Sequence, residues 1–440
     1  MSAISPSIYE QFEISSLDGT RKVDIAAGVV AFSFFENLFS PHITAKVIVA
    51  NTAVPSLGDT VYHGLPLKGG ERVSIKIASN SENNAILDLT GENALYVSSI
   101  RNVFSEAESE TFGLNLVSRE AISNETSRVG KKFSQKISTS VKKIIEEFLL
   151  TEKNVNIDDT ENDYAFIGNL RKPFTILTWL ASKSVPASSK EGEVVGGKSS
   201  TAGYFFYETR DGFNFRSIDA LCTQEPVGQK YIYQPGILNV DDPNKDFRII
   251  QYSTTRNNNF VDNLERGAYC THRMYYNPLY GTFTTQAQGT FTTKQFEGKL
   301  NNLGRDFKVE TPQYDKSGKT VGELPSRVVT GVLDFGTLEK KNKNSFKQNA
   351  DPMEFHSQAM MRYNLIFNIQ LVATIPLNTN LVAGALIDCV FPKITTEEQK
   401  EVDQEQSGLY MIKELTHHYE SDGSFTKLKL IKDTLGKKDK

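Results

Sequence analysis

Within residues 8–120, apolar side chains recur at every second position in several runs, and the region reads as mostly β. Ala45, Val47 and Val49 alternate with other residues, as do Val73, Ile75 and Ile77, and this period predicts half-buried strands. The period changes near Ser138. Ile137, Val141, Ile144, Ile145, Phe148 and Leu149 fall on one face of a helix, with Ser138 as its candidate N-cap. A second helix is predicted over Pro173–Lys183. Proline suits a first helical position, Phe174, Leu177, Leu180 and Ala181 form the apolar face, and the helix ends before Pro186. Tyr204–Thr209 and Phe213–Ile218 read as a hairpin across Arg210-Asp211-Gly212.

The last quarter is the most regular. A helix is predicted from an Asp351 cap, Pro352 and Glu354 to about Arg362, leading into a strand over Leu365–Val372. Two alternating apolar runs follow, joined by Asn378-Thr379-Asn380 and then Gly384. After an acidic linker, Tyr410–Glu420 and Phe425–Lys432 flank Asp422-Gly423, a strong hairpin signal. GLPLKGGERVSIKI (Gly64–Ile77) and IPLNTNLVAGALIDCVF share an order: Pro-Leu, a polar break with glycine, then an alternating strand. That is a faint internal echo. Residues 282–350 are polar and predict strands with long loops, and Glu339–Asn349 is charged enough to be a mobile loop.

Composition narrows the class. At 440 residues, with 39% hydrophobic and 23% charged side chains, the chain should fold into two to four domains. A net charge of −4 argues against a protein built mainly to hold nucleic acid. Cys222, Cys270 and Cys389 are odd in number and far apart, which implies neither a disulfide framework nor a Cys-x-x-Cys site. MSAISPSIYEQFEIS has no basic start and no apolar run, so no signal peptide is expected. No apolar run is long enough to span a bilayer.

Candidate chemistry is sparse. Gly192–Ser199 (GEVVGGKS) matches the phosphate-loop pattern, but a linker precedes it and strand-like Tyr204–Tyr207 follows, where the chemistry needs strand then helix. A flexible loop is the better reading. His417 and His418 are adjacent, so in a strand they point to opposite faces and cannot easily share a metal. His42, His63, His272 and His356 have no neighbour at ligand spacing. Asp158–Asp163 resembles a calcium loop in composition but lacks the glycine at the sixth position and the glutamate at the twelfth. Glu146 and Glu147 fall on the polar side of their helix. The expectation is no catalytic, cofactor-binding or metal residue, no cofactor and no enzyme activity.

Four segments together resemble the baseplate central hub proteins of contractile-tailed phages, a family related to the N-terminal part of type VI secretion spike proteins. They are Gly28–Thr52, with Phe35-Glu36-Asn37-Leu38-Phe39-Ser40-Pro41 inside it; Gly64–Ile77; Leu116–Leu150; and Met361–Leu435. They cover about a third of the chain, and nothing familiar lies between about Thr282 and Asn349. The resemblance implies an α+β, mainly β fold with two tube-like β-barrel domains, a smaller α/β domain and a loop-rich insertion. The corresponding spans are 1–120 (first barrel), 121–250 (α/β), 251–350 (β and loops) and 351–440 (helix and second barrel). It implies a homotrimer that meets a hexameric tail tube, a trimeric central spike and other baseplate proteins. DNA would pass through its channel without sequence-specific binding. No membrane insertion is expected. The expected location is the virion, after assembly in host cytoplasm. The alternatives are a cell-wall hydrolase on the same scaffold, the hub of a bacterial injection particle, and a nucleotide-dependent assembly factor resting on Gly192–Ser199.

Overall fold

The computed structural model describes residues 3–51, 59–105, 109–161, 163–187, 201–234, 244–256, 260–285, 289–292, 301–305, 318–333, 355–393 and 401–434. The fold is mainly β, as expected. The first lobe contains β1 (Tyr9–Ser15), β2 (Val29–Asn37), β3 (Thr44–Asn51), β4 (Arg72–Ile77), β5 (Leu95–Ser105) and β6 (Glu110–Ser118). They pair antiparallel in the order β1-β4-β5-β6-β3-β2. The alternation read from sequence sets the faces: Val47, Val49, Val73, Ile75, Phe112 and Leu114 point into one core.

A helical lobe follows, with α1 (Arg119–Thr126), α2 (Ile137–Ile144), α3 (Pro173–Ala181) and the hairpin β7 (Tyr204–Thr209) and β8 (Gly212–Ser217). Ile137, Val141, Ile144, Ile145 and Leu149 are buried together with Phe174, Leu177 and Leu180, as their periodicity demands. Pro173 opens α3. The N-cap of α2 differs from expectation: it is Lys136, with no side-chain cap. Ser138 lies inside the helix, and its hydroxyl accepts the Thr160 N–H at 3.3 Å. A buried threonine from the neighbouring loop outcompetes the helix end for that oxygen.

The second lobe contains β9 (Gln251–Arg256), β10 (Ile369–Pro376), β11 (Leu386–Val390), β12 (Gly408–Glu420) and β13 (Ser424–Lys432). The β12–β13 hairpin is the one read from sequence. The preceding helix runs over Phe355–Leu365, past the expected end, and the strand starts at Ile369. Leu365 and Ile366 satisfy both patterns, and burial in the last helical turn claims them. Asp351, Pro352, Glu354 and the Glu339–Asn349 loop lie outside the described residues. Between β9 and β10, Cys270–Asn277 and Arg327–Val332 pair in parallel in a small separate sheet.

The two lobes repeat one topology. β2 to β6 pair as β4-β5-β6-β3-β2, and β9 to β13 pair as β11-β12-β13-β10-β9. Their irregularities also coincide. Gly70 donates to Val97 O at 2.7 Å, and Val97 N donates back to Glu71 O at 2.9 Å. Gly384 donates to Ile412 O at 2.8 Å, and Ile412 N donates back to Ala385 O at 2.9 Å. Both glycines hold positive φ, 94° and 85°, which a side chain would strain. One step later each long strand bulges, β5 between Val97 and Ser99 and β12 between Ile412 and Glu414.

Both sheets roll up. Phe12 of β1 and Phe32 of β2, at opposite ends of the strand order, touch at 5.7 Å between ring centroids. Tyr252 of β9 meets Phe391, just after β11, at 4.6 Å. In the first lobe no ring of backbone pairings closes among the described residues. In the second, Tyr231–Tyr233 pairs with β11 on one side and on the other with Arg248–Ile249, which leads into β9, and Ile250 N donates to Thr374 O of β10 at 2.8 Å.

Candidate assembly interface

The lobes are fused through β12. Its first residues pair with β11, and Glu414–Glu420 then pair with Asn37–Ala31 of β2. At the bulge, Leu38 N donates to Lys413 O at 2.8 Å. This seam yields one antiparallel path of eight strands, β5-β6-β3-β2-β12-β13-β10-β9. Its inner face is apolar core. Its outer face carries a polar cross-strand row, Ser99, Asn115, Lys46, Ser33 and His418, with the apolar Phe35 and Ile48 beside it. Ser33 Oγ and His418 Nδ1 lie 2.9 Å apart across the seam, and Lys429 pairs with Glu414 at 2.6 Å. A cleft of about 500 Å³ crosses the seam, lined by Phe35, Asn37, Lys46, Arg101, Asn115 and Glu414 among others.

One carboxylate ties all three lobes. Glu36 lies on the inward face of β2, in step with Phe32 and Phe34, and is 2% exposed. One of its oxygens accepts the Arg210 N–H of the β7–β8 turn at 2.7 Å, and the other accepts the Ala383 N–H before β11 at 2.8 Å. Burial pushes its pKa up to about 8, against the two N–H donors and the Arg210 charge. The folded protein therefore holds a proton that the unfolded chain releases near pH 4.5, so this group costs stability as pH rises from there to about 8. His417 acts in the opposite sense: burial lowers its pKa to about 3, so its cost grows as pH falls below 6.5. Glu36→Gln should lack the alkaline component. The urea-midpoint difference between wild type and this variant should change steadily between pH 6.5 and 8.5, and a constant difference would remove Glu36 as a titrating group.

The remaining buried charges are also clamps between segments. Lys153 bridges Glu120 at 2.9 Å and Glu208 at 2.7 Å, and Glu208 also accepts from Ser118 Oγ and Ile43 N. Burial works against the Glu120 charge, but Lys153 and Thr151 outweigh it and hold its pKa below the usual range. Burial raises Glu208. Both carboxylates are fully buried.

The residues singled out from sequence do not converge. His417 is buried against Phe34 and meets Thr426 Oγ1 at 2.9 Å, while His418 faces the other way toward Ser33. Glu146 and Glu147 are exposed. Asp158 pairs with Arg216 at 2.9 Å and accepts the Ser217 N–H. Gly192–Ser199 lies outside the described residues. Cys222, Cys270 and Cys389 are buried, and none is in a disulfide. Among the described residues, no group of three His, Cys, Asp or Glu side chains could hold a metal. Glu36 was the functional signal missed. Its inward parity with two phenylalanines was visible in sequence, but its two partners were not.

No sequence-family profile matches the chain, and no curated protein sequence does. Solved structures do. The tail protein from Neisseria meningitidis MC58 superposes with a TM-score of 0.51 at 10% identity, over 96% of each chain. The chain shares the fold of that tail protein. A 43 kDa tail protein of prophage MuSo2 from Shewanella oneidensis is similar over 97% of this chain and 100% of its own, with a TM-score of 0.49 at 10% identity. A component of the E. coli type VI secretion system, described as structurally similar to phage tail proteins, covers 92% of this chain and 73% of its own at 9% identity, with a TM-score of 0.44. The fold assignment rests on the first of these.

Proposed function

We propose that this chain is a structural hub of a contractile phage tail baseplate, acting as a homotrimer between a hexameric tail tube and a trimeric central spike. The observation that carries this reading is the repeat: one chain holds two lobes with the same five-strand order and the same bulge. Three copies then present six similar lobes, which resolves the mismatch between threefold and sixfold partners. In this reading each rolled sheet serves as a tube-like barrel, and the polar face of the eight-strand path lines the channel. Its mixed Lys46, Glu414 and Lys429 charges suit passage of DNA without sequence reading. The proposed units stay 1–120, 121–250, 251–350 and 351–440, with Gln251–Arg256 lending a strand to the last. The protein would reside in the virion after assembly in host cytoplasm and would be no enzyme. No described helix is long and apolar enough to cross a membrane.

Light scattering of the chain with its cognate spike protein should report three copies per complex. A stable dimer, or a monomer that persists at high concentration with the spike present, would defeat the symmetry argument.

A further inference from the structure

Between the helical lobe and the second lobe lies a cleft of about 290 Å³. One wall is a small sheet, β7 and β8 with the short strand Val155–Ile157 in parallel beside β8. The core side of this sheet carries Phe206, Phe213 and Phe215. Alternation turns the intervening residues the other way, so Asn156, Asn214 and Tyr207 stand in one cross-strand row. The opposite wall is the turn before β11, residues 382–385. Gln224 holds that turn, donating from Nε2 to Gly384 O at 3.1 Å. The Tyr207 hydroxyl comes up against Gly384, where a Cβ would stand 2.5 Å from it.

The lining lacks the partners that buried polar groups need. Tyr207 is 3% exposed, yet its hydroxyl has no hydrogen-bond partner among the described residues, and burial pushes its pKa up. The side chains of Asn154 and Asn156 have none either. Asn214 uses only its Nδ2, toward Gly212 O at 3.2 Å and Thr209 Oγ1 at 3.3 Å. The charges at the cleft are already answered, Arg216 by Asp158 at 2.9 Å and Asp211 by Arg210 at 3.5 Å. A gap left by poor packing would be lined with carbon, whereas this one is lined with amides and a phenol. Each amide offers an acceptor and two donors, and the phenol offers one of each. Sugar hydroxyls donate and accept in the same way, and they need no counter-charge. A phosphate or a metal ion would need one and finds none uncompensated. The volume matches the lower end of small-ligand sites, ~300 Å³, which is room for one ring and too short for a run of extended peptide. We propose that this cleft binds one neutral sugar residue, held by Asn154, Asn156, Asn214 and the Tyr207 hydroxyl.

Saturation-transfer NMR of the full chain with glucose, galactose, mannose and N-acetylglucosamine, each at tens of millimolar, tests this. At least one sugar should receive saturation, and titration should give a millimolar Kd. Tyr207→Phe removes only an unpartnered hydroxyl, and Asn156→Ala an exposed amide with no partner to lose, so both variants should melt with the wild type. Each should weaken the sugar by roughly three- to tenfold, the worth of one hydrogen bond. Inorganic phosphate and N-acetyl-triglycine amide, a neutral peptide, should not displace it. If no sugar binds, the cleft holds only water and the proposal fails. It fails equally if the sugar binds both variants as tightly as the wild type, or if phosphate or the peptide binds in its place. A lower melting midpoint for Tyr207→Phe would mean that the hydroxyl already has a partner, which also removes the site.

Discussion

A chain lacking residues 407–440 should accumulate as insoluble protein. The deletion removes β12 and β13, and with them Tyr410, Met411, Ile412, Leu415, Leu428 and Leu430, all buried. Each is worth roughly 1.5–3 kcal/mol when buried, and together they exceed the usual net stability of a domain. The damage crosses into the first lobe, because β2 loses its partner while β10 and β11 lose theirs. Three open edges with exposed apolar neighbours are a template for aggregation. Fractionation of expressing cells, followed by circular dichroism of any soluble product, checks this. A soluble, monodisperse truncation would show that the hairpin is an appendage.

Arg362→Met should destabilise the folded chain by about 3–5 kcal/mol, the cost of stranding a buried charge partner. Arg362 is fully buried. Its Nη1 donates to Asp433 at 2.8 Å and its Nη2 to Asn301 O at 2.7 Å, with Asp219 3.7 Å away. Burial opposes its charge, but Cys222, Asp433 and Asp219 outweigh that and raise its pKa. Methionine fills the space and leaves both carboxylates without a counter-charge. Adding Asp219→Asn and Asp433→Asn should recover part of the loss, because the neutral amides tolerate burial. Urea unfolding of the single and triple variants decides the matter: a single variant within about 1 kcal/mol of wild type would mean the cluster is not a clamp.

Local grammar carried the sequence reading far. Asp422-Gly423 announced the last hairpin and Pro173 the start of α3, because such features depend on residues close in sequence. The repeat surfaced only as an echo. It is held in hydrogen-bond register and bulge position, and the residues at those places differ: Ser98 lies at one bulge and Lys413 at the other. Only the paired positive-φ glycines, Gly70 and Gly384, left a mark in the letters. How far the rolled sheets close was beyond reach for a related reason. Alternation reports which face is buried, not whether the first and last strands meet. The Glu36 junction needed three segments of the chain at once, and one sequence does not show which turn comes to which carboxylate.

The shared strand has a consequence for how the protein is made. Ser33 waits for a partner that lies 385 residues further along, at His418. During synthesis the first lobe can roll around its own core while its β2 edge stays bare, through the whole production of the helical lobe and the insertion. So long a separation slows the closing step and leaves a sticky intermediate at risk. Nascent chains stalled before residue 408 should be the species that chaperones hold. Release from them should coincide with emergence of the Gly408–Glu420 strand from the ribosome.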